Sequence, residues 1–301
     1  MSSTSVITRE TVEAVQAADG RRERRHRPGG SLESRQFSVF RAVFLAVFGL
    51  LCILPIAWMI LASLKTNIDI YDPAKTFSFS PTLRNYSAVF EQENFLEFLV
   101  NSLIIGVGST LLALVLGVPA AYSIQRFSMG KSSVLILLSR VIPHVTLLVP
   151  WYFIFASLGL VGGYSSLVIS HMFISVPLIV WVMIGVFEGV PEELEEAARV
   201  DGLTHIGAFL RIILPLAVPG IATSAMLSFI FSWNNFVFAL VLSGTDTRTL
   251  PVAVFNFIGY ASIDWGALMA ACVSITAPMM VIALLGQKYV VAGMTAGAVK
   301  G

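Results

Sequence analysis

Cysteine and charged side chains are both scarce in this chain, and each shortage excludes a class of protein. The 301 residues include two cysteines, Cys52 and Cys272, which lie in separate apolar runs. Two cysteines so far apart form neither the framework of a disulfide-rich domain nor the closely spaced set that binds a metal. The formal net charge of +1 also excludes the strongly basic balance that is typical of nucleic-acid-binding proteins.

The low charge content indicates a membrane protein. Charged residues make up 12% of the chain and hydrophobic residues 56%, whereas a soluble globular domain has about 25% charged residues. Six apolar runs are each long enough to cross a bilayer of about 30 Å as a helix. The sequence therefore predicts an all-α integral membrane protein with six transmembrane helices, approximately at residues 42–64, 99–124, 134–156, 165–187, 216–243 and 266–290.

The distribution of positive charge predicts the orientation of these helices. Fourteen of the 19 Lys and Arg residues fall on one side of the predicted helices, and that side is expected to be cytoplasmic. Both termini then lie in the cytoplasm. Residues 1–38 are predicted as a disordered basic tail and residues 39–301 as the transmembrane domain. Within that domain, residues 65–98 form an external loop, 188–215 a cytoplasmic loop and 291–301 a cytoplasmic tail.

Acidic residues are missing from most of the predicted spans. No Asp or Glu occurs between Glu97 and Glu188, and the fifth and sixth spans have only Asp264, at their outer edge. A proton-driven carrier usually needs a carboxylate within the membrane, so the gap weighs against an ion-coupled secondary carrier, which stays the alternative function. The same gap removes paired catalytic carboxylates, and we therefore predict that the chain is not an enzyme.

The polar loop 188–215 carries signals for two short helices separated by a turn. Pro191 and the glutamates that follow it favour the first turn of a helix. Gly202 suits the left-handed residue that ends such a helix, and Thr204 can cap a second helix. We expect the second helix, which leads into the fifth span, to carry its apolar residues on one side: Ile206, Phe209, Ile212 and Ile213.

The spacing within this loop resembles the signature loop of the membrane subunits of bacterial ATP-binding-cassette (ABC) importers. The matching positions are Glu196, Ala197, Ala198, Gly202, Ile212, Leu214 and Pro215. Further matches extend over nearly all of residues 40–301 and are similar to the carbohydrate branch of these permeases: Asn85-Tyr86, Ile142-Pro143, Leu158-Gly159-Leu160, Trp233-Asn234 and Thr249-Leu250-Pro251. The C-terminal segment 293–301 is similar to that of the maltose-type second permease subunit.

This resemblance implies a permease subunit of the type I importer fold in the bacterial plasma (inner) membrane. Such a subunit forms half of the translocation pathway of an ATP-driven, binding-protein-dependent importer, here for a sugar or polyol. The implied partners are a paralogous permease, two copies of an ABC ATPase and an extracytoplasmic solute-binding protein. In the family the loop docks into the ATPase, and the C-terminal tail reaches the ATPase interface. By resemblance the docking residues are Glu196, Ala197, Ala198, Asp201, Gly202 and Lys300.

No cofactor is expected on this chain, and the resemblance places ATP and Mg on the partner ATPase. Gly130-Lys131-Ser132 looks like the end of a phosphate-binding loop, but Gln125 stands where the first glycine of that motif belongs. We interpret the segment as a turn between two spans.

Polar and aromatic residues within the spans are the candidates for the translocation pathway. Each has an alternative: the histidines and the asparagine pair can serve helix packing, and aromatic side chains can anchor a helix at the membrane interface. Asn235 stands where many relatives carry Asp, which weakens a charge-based assignment of the substrate. The pathway candidates are His144, Trp151, His171, Trp233, Asn234 and Asn235.

Overall fold

The computed structural model describes residues 32–92, 94–259 and 263–296, and these ranges contain helices and turns but no extended β-strand. In chain order the helices are α1 (Leu32–Ser63), α2 (Asn67–Tyr71), α3 (Arg84–Gln92), α4 (Phe95–Arg126), α5 (Gly130–Ser139), α6 (Leu148–Ser157), α7 (Tyr164–Glu188), α8 (Glu192–Val200), α9 (His205–Ala208), α10 (Leu214–Leu216), α11 (Val218–Trp233), α12 (Val237–Leu242), α13 (Leu250–Ala253) and α14 (Trp265–Ala296). Short 3-10 turns lie at Pro73–Lys75, His144–Leu147, Thr245–Thr247 and Val254–Phe257, and a π-helical turn lies at Phe209–Ile213.

Four of these helices contain a stretch that is long and apolar enough to cross a membrane, namely α1, α4, α7 and α14. Two bent helix pairs raise the number of candidate spans to six if each pair counts as one. One pair joins α5 to His144–Ser157 at 86°, and the other joins His205–Leu216 to α11 at 75°. The helical fold class is confirmed, with four to six candidate spans.

The run 134–156, predicted as one continuous span, is instead two helices with a sharp bend. The bend lies between α5 and the 3-10 turn that begins at His144. Pro143 immediately precedes this turn, with φ −59° and ψ 123°. Because proline lacks a backbone N–H and disfavours helical geometry in the residue before it, it ends α5 here.

The run 216–243 is also interrupted. Helix α11 ends at Trp233, and α12 begins only at Val237. Asn235 Oδ1 accepts a hydrogen bond from the backbone N–H of Phe238 at 3.2 Å. An asparagine side chain that binds nearby backbone in this way competes with helical hydrogen bonding, which explains why an uncharged apolar run does not form one helix.

The chain divides into two units, residues 1–58 and residues 59–301. The described part of the first unit is the N-terminal portion of α1. There Phe40, Phe44 and Phe48 stack at four-residue spacing, with ring centroids 6.4 Å and 6.2 Å apart. Residues four apart lie on the same face of a helix, so these rings form an aromatic stripe along α1.

In the second unit, α4 lies between α7 and α11, and small residues allow the close approach. A Cβ on Gly117 would lie 2.8 Å from Ile179 of α7, and one on Gly106 would lie 2.8 Å from Phe229 of α11. Glycines at such positions let membrane helices pack backbone to backbone. Helix α4 is therefore the central helix of this unit.

The N-terminal end of α4 is fixed by neutral hydrogen bonds. The buried Asn101 donates through Nδ2 to the carbonyl oxygens of Asp246 and Arg248, both at 2.9 Å. Tyr164 at the start of α7 donates its hydroxyl to Asn101 Oδ1 at 2.6 Å. One amide side chain thus joins α4, α7 and the segment 244–249.

Two predicted tails lie largely or partly outside the described residues. Most of the predicted basic tail 1–38 falls there, and its last residues belong to α1. Helix α14 continues to Ala296, well into the predicted tail 291–301, while Lys300 falls outside the described residues.

Candidate functional site

The 188–215 loop folds as a short helix, a glycine turn and a second helix, which confirms the arrangement predicted from its sequence. Helix α8 is followed by Gly202 at φ +91°, a conformation that residues with a Cβ rarely adopt. Thr204 Oγ1 then accepts a hydrogen bond from the backbone N–H of Gly207 at 3.1 Å and caps α9. The left-handed conformation of Gly202 and the helix cap at Thr204 thus define the turn.

The second helix of the loop changes geometry as it enters the membrane domain. After α9 the chain forms the π-helical turn Phe209–Ile213, and then α10 and α11 follow. Phe209 and Ile213 are buried and Ile212 is half-buried, but Ile206 is exposed. The prediction that Ile206 lies on the apolar side is wrong, because a π-helical turn breaks the α-helical spacing on which it rested.

Four of the predicted docking residues lie on the surface of the loop. Glu196, Ala197, Asp201 and Gly202 are exposed. Ala198 is only 6% exposed, so the structure does not place it on this surface. It lies three positions after the buried Glu195, and residues three apart share one face of a helix, here the inner face of α8.

The loop also exposes apolar side chains that the search for docking residues missed. Val200 is 87% exposed, and Leu194, Ile206 and Leu210 are exposed as well. Large apolar side chains in water are unfavourable, and a group of them among charged residues is typical of a surface that another protein covers. Counting apolar residues outside the amphipathic pattern of the loop would have found them.

Inside the loop, Glu195 is the centre of an ion-pair cluster that sequence reasoning also missed. Its side chain is 2% exposed, and its Oε2 lies 3.0 Å from Nε of Arg126, the last residue of α4. Its Oε1 lies 2.9 Å from Nδ1 of His205 at the start of α9. Arg126 also pairs with Glu192, with Nη1 and Oε2 2.6 Å apart. The cluster joins α4, α8 and α9.

The surroundings of Glu195 keep it ionised. Burial raises the pKa of the Glu195 carboxyl, but the hydrogen bond from His205 and the positive charge of Arg126 oppose this effect and hold the pKa below its ordinary value. The helical periodicity of α8 offers a signal for an inward-facing acid at this position. The partner Arg126 lies far away in sequence, and no local pattern identifies it.

Two of the predicted pathway residues meet in one cavity. His144 and Trp151 line a cavity of about 320 Å³ beside α7, together with Arg140 and Phe173. The ring centroids of Trp151 and Phe173 are 4.8 Å apart, and His144 packs edge-on against Phe231 at 5.7 Å. Apolar walls with a few polar groups are typical of sites for small organic ligands.

His171 and Trp233 lie in the packed interior and not in this cavity. His171 Nδ1 is 2.8 Å from Ser232 Oγ, which accepts a hydrogen bond from Ser109 Oγ at 3.0 Å. Trp233 is buried against Phe229, with ring centroids 5.6 Å apart. These side chains join α4, α7 and α11, so their positions favour the helix-packing alternative.

Asn234 and Asn235 occupy the break between α11 and α12. Asn234 Nδ2 donates to the carbonyl oxygen of Ile230 at 2.8 Å, and Asn235 accepts from the backbone of α12, as described above. Asn234 is exposed and Asn235 half-buried. Both amides are used to complete helix ends, and the structure does not bring them to the cavity that His144 lines.

Comparisons with known proteins agree with this geometry. Residues 113–296 match the family described as binding-protein-dependent transport system inner membrane component. The trehalose transport system permease protein SugB of Mycobacterium tuberculosis is 36% identical over 271 residues, which cover 87% of this chain and 98% of that protein. The trehalose/maltose transport system permease protein MalG of Thermococcus litoralis is 36% identical over 271 residues, 87% of this chain and 96% of that protein. The sulfoquinovosyl glycerol transport system permease protein SmoH of Agrobacterium fabrum is 34% identical over 252 residues, 82% of this chain and 88% of that protein.

Solved structures show the same fold. A chain of a bacterial ABC transporter involved in the import of the acidic polysaccharide alginate has a TM-score of 0.73 at 22% identity, covering 87% of this chain and 99% of that chain. A chain of the MetNI methionine ABC transporter, in an inward-facing conformation, has a TM-score of 0.54 at 20% identity, covering 66% of this chain and 95% of that chain.

These relatives are membrane permease subunits of ABC transporters, whose ATPase is a separate chain. They favour the importer interpretation over an ion-coupled carrier, and they confirm that the chain is a permease and not an enzyme. The resemblance seen in its signature loop therefore reflects common descent: the chain belongs to the family of binding-protein-dependent transport system inner membrane components.

Proposed function

We propose that this chain is one permease subunit of an ATP-driven importer for a sugar or polyol in a bacterial inner membrane. The observation that supports this proposal most directly is the 188–215 loop, which forms a short helix, a glycine turn and a capped second helix on the surface of the second unit of the chain. The names of its relatives support the substrate class, since they include permeases for trehalose, maltose and sulfoquinovosyl glycerol.

In this proposal the chain crosses the membrane six times with both termini in the cytoplasm. The excess of Lys and Arg on that side supports the orientation. The third crossing is the bent pair around Pro143, and the fifth includes α11. The 188–215 loop then faces the cytoplasm, and segment 65–98 faces outward.

The proposed assembly contains a paralogous permease, two ATPase subunits that carry ATP and Mg, and an extracytoplasmic solute-binding protein. The exposed Glu196, Ala197, Asp201 and Gly202 form the docking surface for one ATPase, with Lys300 of the C-terminal tail at the ATPase interface. When the ATPases close, they push the loop. The helices attached to the loop then move as rigid bodies and alternate the access of the central pathway.

In this proposal, the cavity lined by His144 and Trp151 forms part of the half of the translocation pathway that this chain contributes. Sugars and polyols present hydroxyl groups together with apolar C–H faces. The aromatic rings of Trp151 and Phe173 offer surfaces for the C–H faces, while the Arg140 guanidinium and the His144 ring offer hydrogen bonds to hydroxyls. This mixture suits an uncharged carbohydrate.

The first experiment is purification of the chain from its native membrane in mild detergent, identification of its companions and measurement of ATP hydrolysis. We expect a second permease and an ATPase to accompany it. Uptake of labelled trehalose or maltose into vesicles should survive an uncoupler and stop when ATP is depleted. A lone chain that transports in liposomes without an ATPase would overturn the proposal in favour of a secondary carrier.

A further inference from the structure

Helix α4 and the 188–215 loop are remote in sequence but meet at a buried ion pair, beside an aromatic contact in which the ring centroids of Tyr122 and Phe209 are 4.5 Å apart. Arg126 ends α4, and its side chain is only 14% exposed. Its guanidinium contacts two carboxylates of the first turn of α8, Glu192 at 2.6 Å and Glu195 at 3.0 Å. A guanidinium that holds two carboxylates is fixed in direction as well as in position.

Glu195 extends this contact to the second helix of the loop. One carboxylate oxygen binds Arg126 and the other binds His205 on α9. The same residue therefore connects α4, α8 and α9. Since both oxygens are engaged and the Glu195 side chain is only 2% exposed, displacing α8 from α4 would separate the guanidinium from a carboxylate that is almost fully buried.

Helix α4 also borders the cavity described above. Leu116 of α4 lines it together with residues of α5, α6 and α7, among them Trp151 and Phe173. A movement of α4 therefore changes the wall of the proposed pathway. By contrast, the covalent connections of the loop lead to α7 on one side and, through the π-helical turn, to α11 on the other, and neither includes α4.

We propose that Arg126 and Glu195 are positioning residues that make the C-terminal end of α4 move together with the 188–215 loop. The inference rests on the proposed function, because the loop must be displaced by a docked ATPase for the contact to act. It adds a route: motion passes through this ion pair to α4, in parallel with the covalent routes to α7 and α11.

The direct test is a distance measurement in the whole transporter, reconstituted in lipid nanodiscs. Spin labels are attached to Met129→Cys and Arg199→Cys, after both native cysteines are replaced by serine. The backbone N–H of Met129 donates to the carbonyl oxygen of Ile124 of α4 at 2.9 Å, so this label reports the end of α4. Arg199 is an exposed residue in the last turn of α8 and lies outside the proposed docking surface. Distances are compared without nucleotide and after trapping with MgATP and vanadate.

We expect the distance to stay the same in both states when Glu195 is present. In Glu195→Gln it should shift or split into two populations on trapping, because the only carboxylate that Arg126 then keeps is that of Glu192, which is 65% exposed, and exposed ion pairs are weak. Glu193→Gln is the matched control, since Glu193 is an exposed acid of the same turn and should keep the single distance. An unchanged distance in Glu195→Gln, or a shift without any substitution, would overturn the inference.

Transport coupling gives a second readout that a purely structural role would not move. In Glu195→Gln the ATP hydrolysed for each labelled trehalose or maltose molecule taken up should rise about tenfold, within the range typical of coupling between sites. If Glu195→Gln does not assemble, Arg126→Lys serves instead; it keeps the charge but not the two-carboxylate geometry, and unchanged coupling and distance there would contradict us. Absence of an ATPase from the unsubstituted complex would instead refute the proposed function.

Discussion

The two ends of α4 are held by different chemistry. At the N-terminal end, the Asn101 amide binds two backbone carbonyls and a tyrosine hydroxyl. At the C-terminal end, Arg126 binds the side chains of Glu192 and Glu195. Backbone carbonyls are fixed by the local chain, so the first contact suits a static joint. A guanidinium that binds two carboxylates is fixed in direction and position relative to α8, so the second suits a joint that transmits motion.

The largest effect is expected from Gly202→Asp, in the 188–215 loop that contacts the C-terminal end of α4. The substitution places a Cβ at φ +91° and a negative charge on the proposed docking surface. We therefore expect that uptake of labelled sugar is lost and that the ATPase dissociates during purification, while the chain still inserts into the membrane. Gly202→Ala has the same backbone strain without the charge and should retain part of the uptake. Normal uptake in Gly202→Asp would contradict the docking assignment.

Arg126→Ala breaks the charged joint itself. It leaves the buried Glu195 with His205 as its remaining partner, and we expect the free energy of unfolding to fall by about 3 kcal/mol, as when one member of a buried ion pair is removed. Thermal unfolding of the purified complex measures this change. Arg199→Ala removes an exposed arginine from α8 and should change the stability by less than about 0.5 kcal/mol. Equal effects of the two substitutions would show that the buried joint is unimportant.

Asn101→Leu breaks the neutral joint at the other end. Two carbonyl oxygens and the Tyr164 hydroxyl lose their partner, and we expect a loss of about 2 kcal/mol in the free energy of unfolding. In the same complex, the ratio of ATP hydrolysed to sugar imported should stay near its normal value, because the N-terminal end of α4 does not contact the 188–215 loop. A coupling defect as large as that of Glu195→Gln would remove the distinction between the two ends.

Acid should weaken the charged joint and leave the neutral one unaffected. The pKa of Glu195 is lowered from its ordinary value of 4.5, so its contribution to stability is fully present above about pH 4.5 and is lost as the pH falls through the lower pKa of the folded state. The difference in unfolding temperature between the unsubstituted complex and Glu195→Gln should therefore shrink below pH 4.5. The difference caused by Asn101→Leu should stay constant over the same range, and a parallel decrease would contradict this assignment.

Local signals in the sequence were sufficient for the loop. Proline and glutamate at the start of α8, glycine at its end and a threonine cap each act within a few residues, and all of these appear in the structure. The prediction for Ile206 failed because π-helical geometry has no reliable signal in a single sequence. Ala198 was misplaced because a motif gives the spacing of residues and not the side of the helix on which each one lies.

Contacts between remote segments were beyond the reach of the sequence. Nothing near Glu195 indicates Arg126 as its partner, and nothing near Asn101 indicates the carbonyl oxygens of 246 and 248. Hydropathy also treated the runs 134–156 and 216–243 as continuous, because it does not register that Pro143 and Asn235 can end a helix within an apolar run. The family resemblance, in contrast, depended on residue types at fixed spacing and was confirmed.

The π-helical turn Phe209–Ile213 allows the connection between the 188–215 loop and α11 to change its twist. Its hydrogen bonds span five residues instead of four, so the turn holds one residue more than an α-helix would need. Tightening it to α-helical geometry would rotate α9 relative to α11 by up to about 100°, the angle per residue of an α-helix. The segment thus contains one residue that can be absorbed into α-helical geometry, and in the proposed transporter an axial push on the 188–215 loop would rotate α9 relative to α11.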